Sequence, residues 1–181
     1  MKKKTGENIC EWVKAILTAG ISAVIVLQFI LPTAVFGISM EPSFEHRDYL
    51  LINRQAYKSG RMPQRGDVIV FQSHLRDTEN GGMKNLIKRV IAVPGDTVAV
   101  DSGKVYINGE VLEESYIKDG ITNGEVPEVT VPSGNYFCMG DNRLHSTDSR
   151  FLEVGFIEEK AIIGEVFFRI FPFNKIGLIG S

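Results

Sequence analysis

The chain has 181 residues, 44% of them hydrophobic, with two cysteines and a formal net charge of -2. That length supports one sizeable core with room for a small appendage, and not two large independent domains. The slightly acidic balance lacks the basic face that nucleic acid requires, and Cys10 and Cys138, lying on either side of a long apolar segment, do not make a disulfide framework.

From Ala15 to Met40 the sequence AILTAGISAVIVLQFILPTAVFGISM carries no charged residue. It exceeds the roughly 20 residues that a helix needs to cross a hydrocarbon core. The reading is a single crossing: residues 1–14 form a cytoplasmic tail, 15–36 the anchor helix and 37–181 an extracytoplasmic part. Lys2, Lys3, Lys4 and Lys14 flank the segment upstream, whereas Glu41, Glu45 and Asp48 follow it with only Arg47 close by. By the positive-inside bias the N-terminus stays in the cytoplasm. The competing reading is a cleaved secretory signal peptide, but the apolar core is longer than such segments carry and no clean small-x-small site follows it. Pro32 ends or kinks the helix, because it lacks an N–H and clashes with the preceding turn.

Beyond residue 40, short β-branched and aromatic runs alternate with turn residues. Tyr49–Asn53, Asp67–Phe71, Leu86–Val93, Thr97–Val100, Tyr136–Met139 and Ala161–Phe171 read as strands. Val105–Leu112 reads as a hairpin, since Asn108-Gly109 supplies the positive φ angles of a two-residue turn. A short helical turn is expected near Phe156 to Lys160. Residues 101–131 are richer in Gly, Glu and Lys and read as a small β insert between core strands. Tyr57–Arg65 and Gln72–Lys84 read as flexible exposed loops.

Three stretches carry residues suited to chemistry. Ser39 lies in Gly37-Ile-Ser-Met-Glu-Pro-Ser43, where glycine and proline favour a bend. It either caps a turn or serves as a nucleophile, and a nucleophilic serine needs a base. His46, His74 and His145 sit in polar surroundings that read as surface loops. Lys88 instead interrupts the apolar run Leu86–Val93, where it shares a face with Val90 and Ala92. Burial there would lower its pKa toward that of a working base. The plainer alternative is an edge-strand lysine reaching water. Gly140-Asp-Asn-Arg-Leu-His-Ser-Thr-Asp-Ser-Arg150 is dense in hydrogen-bonding side chains. It is either a polar turn assembly or part of a site, in which Ser146 orients an amine while Asp148 and Arg150 pair behind it. A thiol mechanism through Cys138 and His145 is disfavoured, because Cys138 lies inside an apolar run and reads as a core residue.

Together, GISMEPS at 37–43, GDVIVF at 66–71, KRVIAVPGD at 88–96 and GDNRLHSTDSR at 140–150, in this order behind an apolar N-terminal segment, resemble the bacterial type I signal peptidases. GEVFFR at 164–169 resembles their closing strand. The resemblance implies a mainly β, partly open barrel-like ectodomain of the signal peptidase and repressor-protease type, with a small β insert as in the Gram-positive form. It implies Ser39 as nucleophile and Lys88 as base, Ser146 orienting the lysine, Asp148 and Arg150 bracing the site and Met40 packed beside the nucleophile. Asp141, Asn142 and Arg143 belong to the same motif with structural work. No metal or organic cofactor is implied. The partners are preproteins with signal peptides, the lipid bilayer of a bacterial cell membrane and a secretion translocon nearby.

One departure is Gly37, where some members of that family carry a serine whose side chain donates to the oxyanion. That leaves the Ser39 backbone N–H as the expected donor. The alternatives are an inactive relative serving as a scaffold in surface-fibre assembly, which should lack the serine or the lysine, and a tethered β-sheet binding module. A self-cleaving repressor-type protease would carry a DNA-binding domain in place of the anchor.

Overall fold

A computed structural model describes residues 2–58, 60–77, 81–118 and 120–180. Residues 78–80 of the expected 72–84 loop, Ser59 of the 57–65 loop, Asp119 of the insert and the Cys10 side chain lie outside the described part.

Helix α1 spans Lys2–Phe29. Its Glu11–Phe29 stretch, 19 residues with mean hydropathy 1.8, is long and apolar enough to cross a membrane. At 1.5 Å per residue it extends about 28 Å, close to the thickness of a hydrocarbon core. Ile16, Leu17 and Val24 are mostly exposed. The helix stops earlier than residue 36, the end expected from the apolar run. Strand β1 (Ile30–Ala34) follows at once and pairs antiparallel with β2 (Tyr49–Asn53), placing Pro32 opposite Leu51. An edge strand tolerates a proline because one side of it needs no donor.

The large sheet adds β3 (Val68–Arg76), β4 (Met83–Ala92), β9 (Asn135–Met139), β10 (Ile157–Glu158), β11 (Ile162–Phe171) and β12 (Gly177–Leu178). Its order is β1-β2-β11-β3-β4-β9-β10, with β12 on β11. The path has two ends, and among the described residues no ladder joins them. The pairing therefore forms an open sheet: the mainly β expectation holds, and the strand path does not by itself make the partly open barrel that the resemblance implies. The second sheet, of order β7-β6-β5-β8, consists of β5 (Thr97–Asp101), β6 (Lys104–Ile107), β7 (Glu110–Val111) and β8 (Val126–Thr130). Asn108 and Gly109 adopt φ of 53° and 83°, as the hairpin turn between β6 and β7 demands.

The insert is not a free appendage. Val98, Val100, Val105, Ile107 and Val131 form one core with Ile91, Ala92, Phe137 and Met139 of the large sheet. The expected 72–84 loop is largely strand, because β3 runs to Arg76 and β4 begins at Met83. The expected helical turn near 156–160 is β10 followed by a single 3₁₀ turn at Glu159–Ala161.

Candidate active site

Ser39 lies in the connection between β1 and β2. The Val35 N–H donates to the Asp48 carbonyl at 2.8 Å and the Arg47 N–H to the Val35 carbonyl at 2.9 Å, so the base of the connection stays closed. Within it Gly37 has φ +96°, where an L side chain would be strained. That conformation suits the glycine at this position. Met40 and Phe44, both almost fully buried, plug the following turn into a core with Val35, Leu50, Ile52 and Val68.

Lys88 lies in β4, which pairs with β3 through Met83 and Asn85 to Arg89 and with β9 from Arg89 onward, so that its second half is buried between two neighbours. The lysine is 2% exposed, and its Nζ is 2.7 Å from Ser39 Oγ. Burial pulls its pKa down to about 8, with Asp148 opposing, Arg150 reinforcing, Asp141 opposing and Lys84 reinforcing the shift. A neutral amine at this distance can accept the serine proton. Alternation does not extend to Ala92 as expected. A register shift between Val90 and Ala92 sends Val90 to the core around Ile69 and Cys138, and Ala92 to the core of the second sheet.

The 140–150 segment holds both groups from behind. Asp148, fully buried, accepts from the Gly140 N–H at 3.0 Å, Ser146 Oγ at 2.6 Å and Arg150 Nε at 2.8 Å. Ser146 thus donates to Asp148, and its direct hydrogen bond among the described residues is not with Lys88. The Asn142 N–H donates to the Ser39 carbonyl and its side-chain amide to the Ile38 carbonyl, each at 3.0 Å. Arg143 Nε donates to the Gly140 carbonyl at 3.0 Å. Asp141 receives a two-pronged contact from Arg89, at 2.9 and 2.7 Å, and one from Ser43 Oγ at 2.5 Å.

Several participants went unassigned in sequence reasoning. Arg89 and Ser43 carry a signal in hindsight: one is a second charge in an apolar strand, the other lies inside the serine motif. Gly140 is needed because a Cβ there would collide with the Ser39 carbonyl oxygen and the Ser146 side chain. Glu114 and Thr122 of the insert reach Arg143 of this loop and Tyr116 reaches Arg89, and no local pattern marks them.

The other candidates lie apart from this chemistry. Cys138 is fully buried in an apolar cluster, and burial pushes its thiol pKa up, opposite to the need of a nucleophilic thiolate. His74 is an exposed position of β3 rather than a loop residue, and His145 is exposed. His46 is exposed too, but its Nδ1 accepts the Gly37 N–H at 3.2 Å. A cavity of about 290 Å³ lined by Phe71, His74, Phe156 and Lys160, and another of about 420 Å³ beside Arg54 and Tyr57, include neither Ser39 nor Lys88.

A buried lysine touching a serine, backed by the 140–150 loop, occurs in a chain whose residues 9–171 match the family model described as signal peptidase, peptidase S26. The chain belongs to this family. Signal peptidase I of Bacillus amyloliquefaciens is 35% identical over 187 residues, covering 97% of this chain and 96% of its own. Signal peptidase I S of Bacillus subtilis strain 168 is 36% identical over 186 residues, covering 97% and 94%. The crystal structure of a signal peptidase I from Enterococcus faecalis V583, at 34% identity, covers 58% of this chain and 97% of that one with a TM-score of 0.46. As a signal peptidase the chain is a peptidase, and its substrates are preproteins that bear signal peptides. The scaffold alternative has no support among these relatives.

Proposed function

We propose that this signal peptidase is anchored in the membrane by α1 and cleaves preproteins with Ser39 as nucleophile and Lys88 as general base. The observation that carries the reading is the 2.7 Å approach of a buried Lys88 amine to Ser39 Oγ. Ser39 Oγ attacks the scissile carbonyl carbon while its proton passes to Lys88 Nζ. The developing oxyanion is met by the Ser39 backbone N–H, which has no hydrogen-bond partner among the described residues. Collapse breaks the C–N bond, and the Lys88 ammonium gives its proton to the departing amine. Lys88 then deprotonates the water that attacks the acyl-enzyme, and the proton returns to Ser39 as the new carboxylate leaves.

Ser146, Asp148 and Arg150 brace the loop behind the amine, and Asp141, Asn142 and Arg143 hold it against the serine turn. Met40 seats that turn in the core. The outer edge of β1 and the 83–88 side of β4 facing away from β3 have no ladder partner among the described residues. Either edge can hold an extended substrate by backbone pairing. Small residues at positions -1 and -3 before the cut follow from the family resemblance.

The lysines ahead of the apolar stretch and the acidic residues after it argue for a cytoplasmic N-terminus and an extracytoplasmic active site, with preproteins arriving from a translocon. External protease on intact protoplasts should remove residues 41–181 and spare the N-terminus; protection of the ectodomain reverses the orientation. The activity is tested by incubating the detergent-solubilised protein with a preprotein and reading the new N-terminus by mass spectrometry. An unprocessed preprotein, with a Bacillus signal peptidase cutting it in parallel, removes the proposal.

A further inference from the structure

Between β7 and β8, the described residues of 112–125 form no helix or strand of their own. Loops of that length inside a compact fold are uncommon and tend to be functional. This one is fastened to every segment of the active site. Glu114 forms a buried two-pronged contact with Arg143, whose Nη1 also donates to Thr122 Oγ1 at 2.6 Å. The Tyr116 ring lies 4.1 Å from the Arg89 guanidinium, next in sequence to Lys88, and its hydroxyl donates to Glu114 at 2.9 Å. Lys118 pairs with Glu41 of the serine turn at 2.7 Å, while its N–H donates to the Asp141 carbonyl at 3.3 Å. Arg150 donates to the Asn123 carbonyl at 2.8 Å.

We propose that this loop is a strap that positions the Ser39–Lys88 pair, with Glu114 as its principal positioning residue. The inference rests on the reading of Ser39 and Lys88 as nucleophile and base. Glu114 holds Arg143, and Arg143 Nε holds the Gly140 carbonyl. Gly140 packs so tightly on the Ser39 carbonyl and Ser146 that no Cβ fits between them. A shift of Arg143 therefore reaches the nucleophile through backbone contacts that cannot give. The buried Arg143 guanidinium is charged, as arginine is throughout proteins, and Glu114 is the carboxylate that pairs with it. Without the carboxylate that buried cation must find another partner, and the turn at Gly140 moves with it. Tyr116 acts in parallel by covering Arg89, which fixes Asp141.

The test measures kcat and KM on a preprotein for full-length Glu114→Gln and Arg143→Lys, with rates expressed per folded molecule from gel filtration and cooperative melting. Both are expected to lower kcat by about 30-fold or more with KM within about threefold, as misplacement of reacting groups does. Lysine at 143 keeps the charge but cannot span Gly140 and Glu114 together. The combined variant should lose little more than either single one, because both act on one contact. Exposed Glu125→Gln, in the same loop, should match wild type. A kcat per folded molecule within about threefold for both variants overturns the strap. Should Glu114→Gln fail to fold, Tyr116→Leu decides: a fall in kcat of about fivefold or more upholds the strap, and a smaller change overturns it. Lys88→Arg runs in the same assay. If it stays active the dyad itself fails, whereas an inactive Lys88→Arg beside an active Glu114→Gln removes the strap alone.

Discussion

Lys88 Nζ and Ser39 Oγ, 49 positions apart in the chain, stand 2.7 Å from each other, and the lysine is 2% exposed. A charged ammonium buried to that degree is costly, and a serine beside a neutral amine is activated. Under the proposed mechanism the same burial that lowers the Lys88 pKa also activates Ser39.

Exchanging one cation for another separates the two uses of Lys88. Arginine keeps the positive charge and most of the reach, but it cannot release its proton. Lys88→Arg and Ser39→Ala are both expected to reduce preprotein cleavage by about 1,000-fold or more while the protein inserts and folds. Cleavage by folded Lys88→Arg within about threefold of wild type, under 1 kcal/mol of barrier, means that Lys88 is not the base.

Activity and stability should both depend on pH through Lys88. Its pKa is lowered to about 8 from 10.5, mainly by burial. The base works when deprotonated, so kcat/KM should rise with pH through a single ionisation near 8 and then level. For stability, the unfolded state binds more protons than the folded state between about 8 and 10.5, so stability rises across that window. Compared with Lys88→Met, the wild type in detergent should gain on the order of 3 kcal/mol over this range, measured by denaturant melts. A difference that stays flat from pH 7 to 11 argues against a depressed lysine.

Gly140→Ala tests the close approach of the loop to the serine turn. The new methyl meets a backbone carbonyl, which cannot rotate away as a side chain can. The expected result is a destabilisation of about 1–3 kcal/mol together with a fall in kcat of about 10-fold to 100-fold. Thermal melting and preprotein kinetics read the two effects. An alanine variant with wild-type values for both would mean that the loop relaxes freely at Gly140.

Phe173, Ile176 and Leu178 are exposed by 77%, 54% and 80%, and the Phe171 and Phe173 rings meet edge to face at 5.4 Å. Aromatic rings favour the bilayer interface, and we propose that this patch rests there, near the point where a scissile bond leaves the membrane. Substituting Phe171 and Phe173 by Ser should weaken liposome binding of residues 30–181, which retain β1, by about 10-fold, read by co-sedimentation. Equal binding by a folded double variant discards the idea.

Whereas the pairing of Ser39 with Lys88 was expected from the family resemblance, the sequence by itself determined the apolar helix, most of the strands and the Asn108-Gly109 turn, and it marked a lysine in an apolar run. These are signals carried by neighbours in the chain: an uncharged stretch, alternating runs, a turn pair, a lysine where an apolar residue is expected. Their limits show where longer contacts took over. The helix ends at Phe29 instead of continuing to residue 36, because residues 30–34 find a ladder partner in β2. Much of the predicted loop at 72–84 is strand because its two sides pair with each other, as Arg76 does with Met83. Only the tertiary structure decided that Ser146 donates to Asp148, that a bulge separates Val90 from Ala92, and that Glu114 reaches Arg143 across 29 positions. Those outcomes depend on register and on which sheets share a core, and a charged residue in an irregular loop carries no local mark of the distant partner that will bury it.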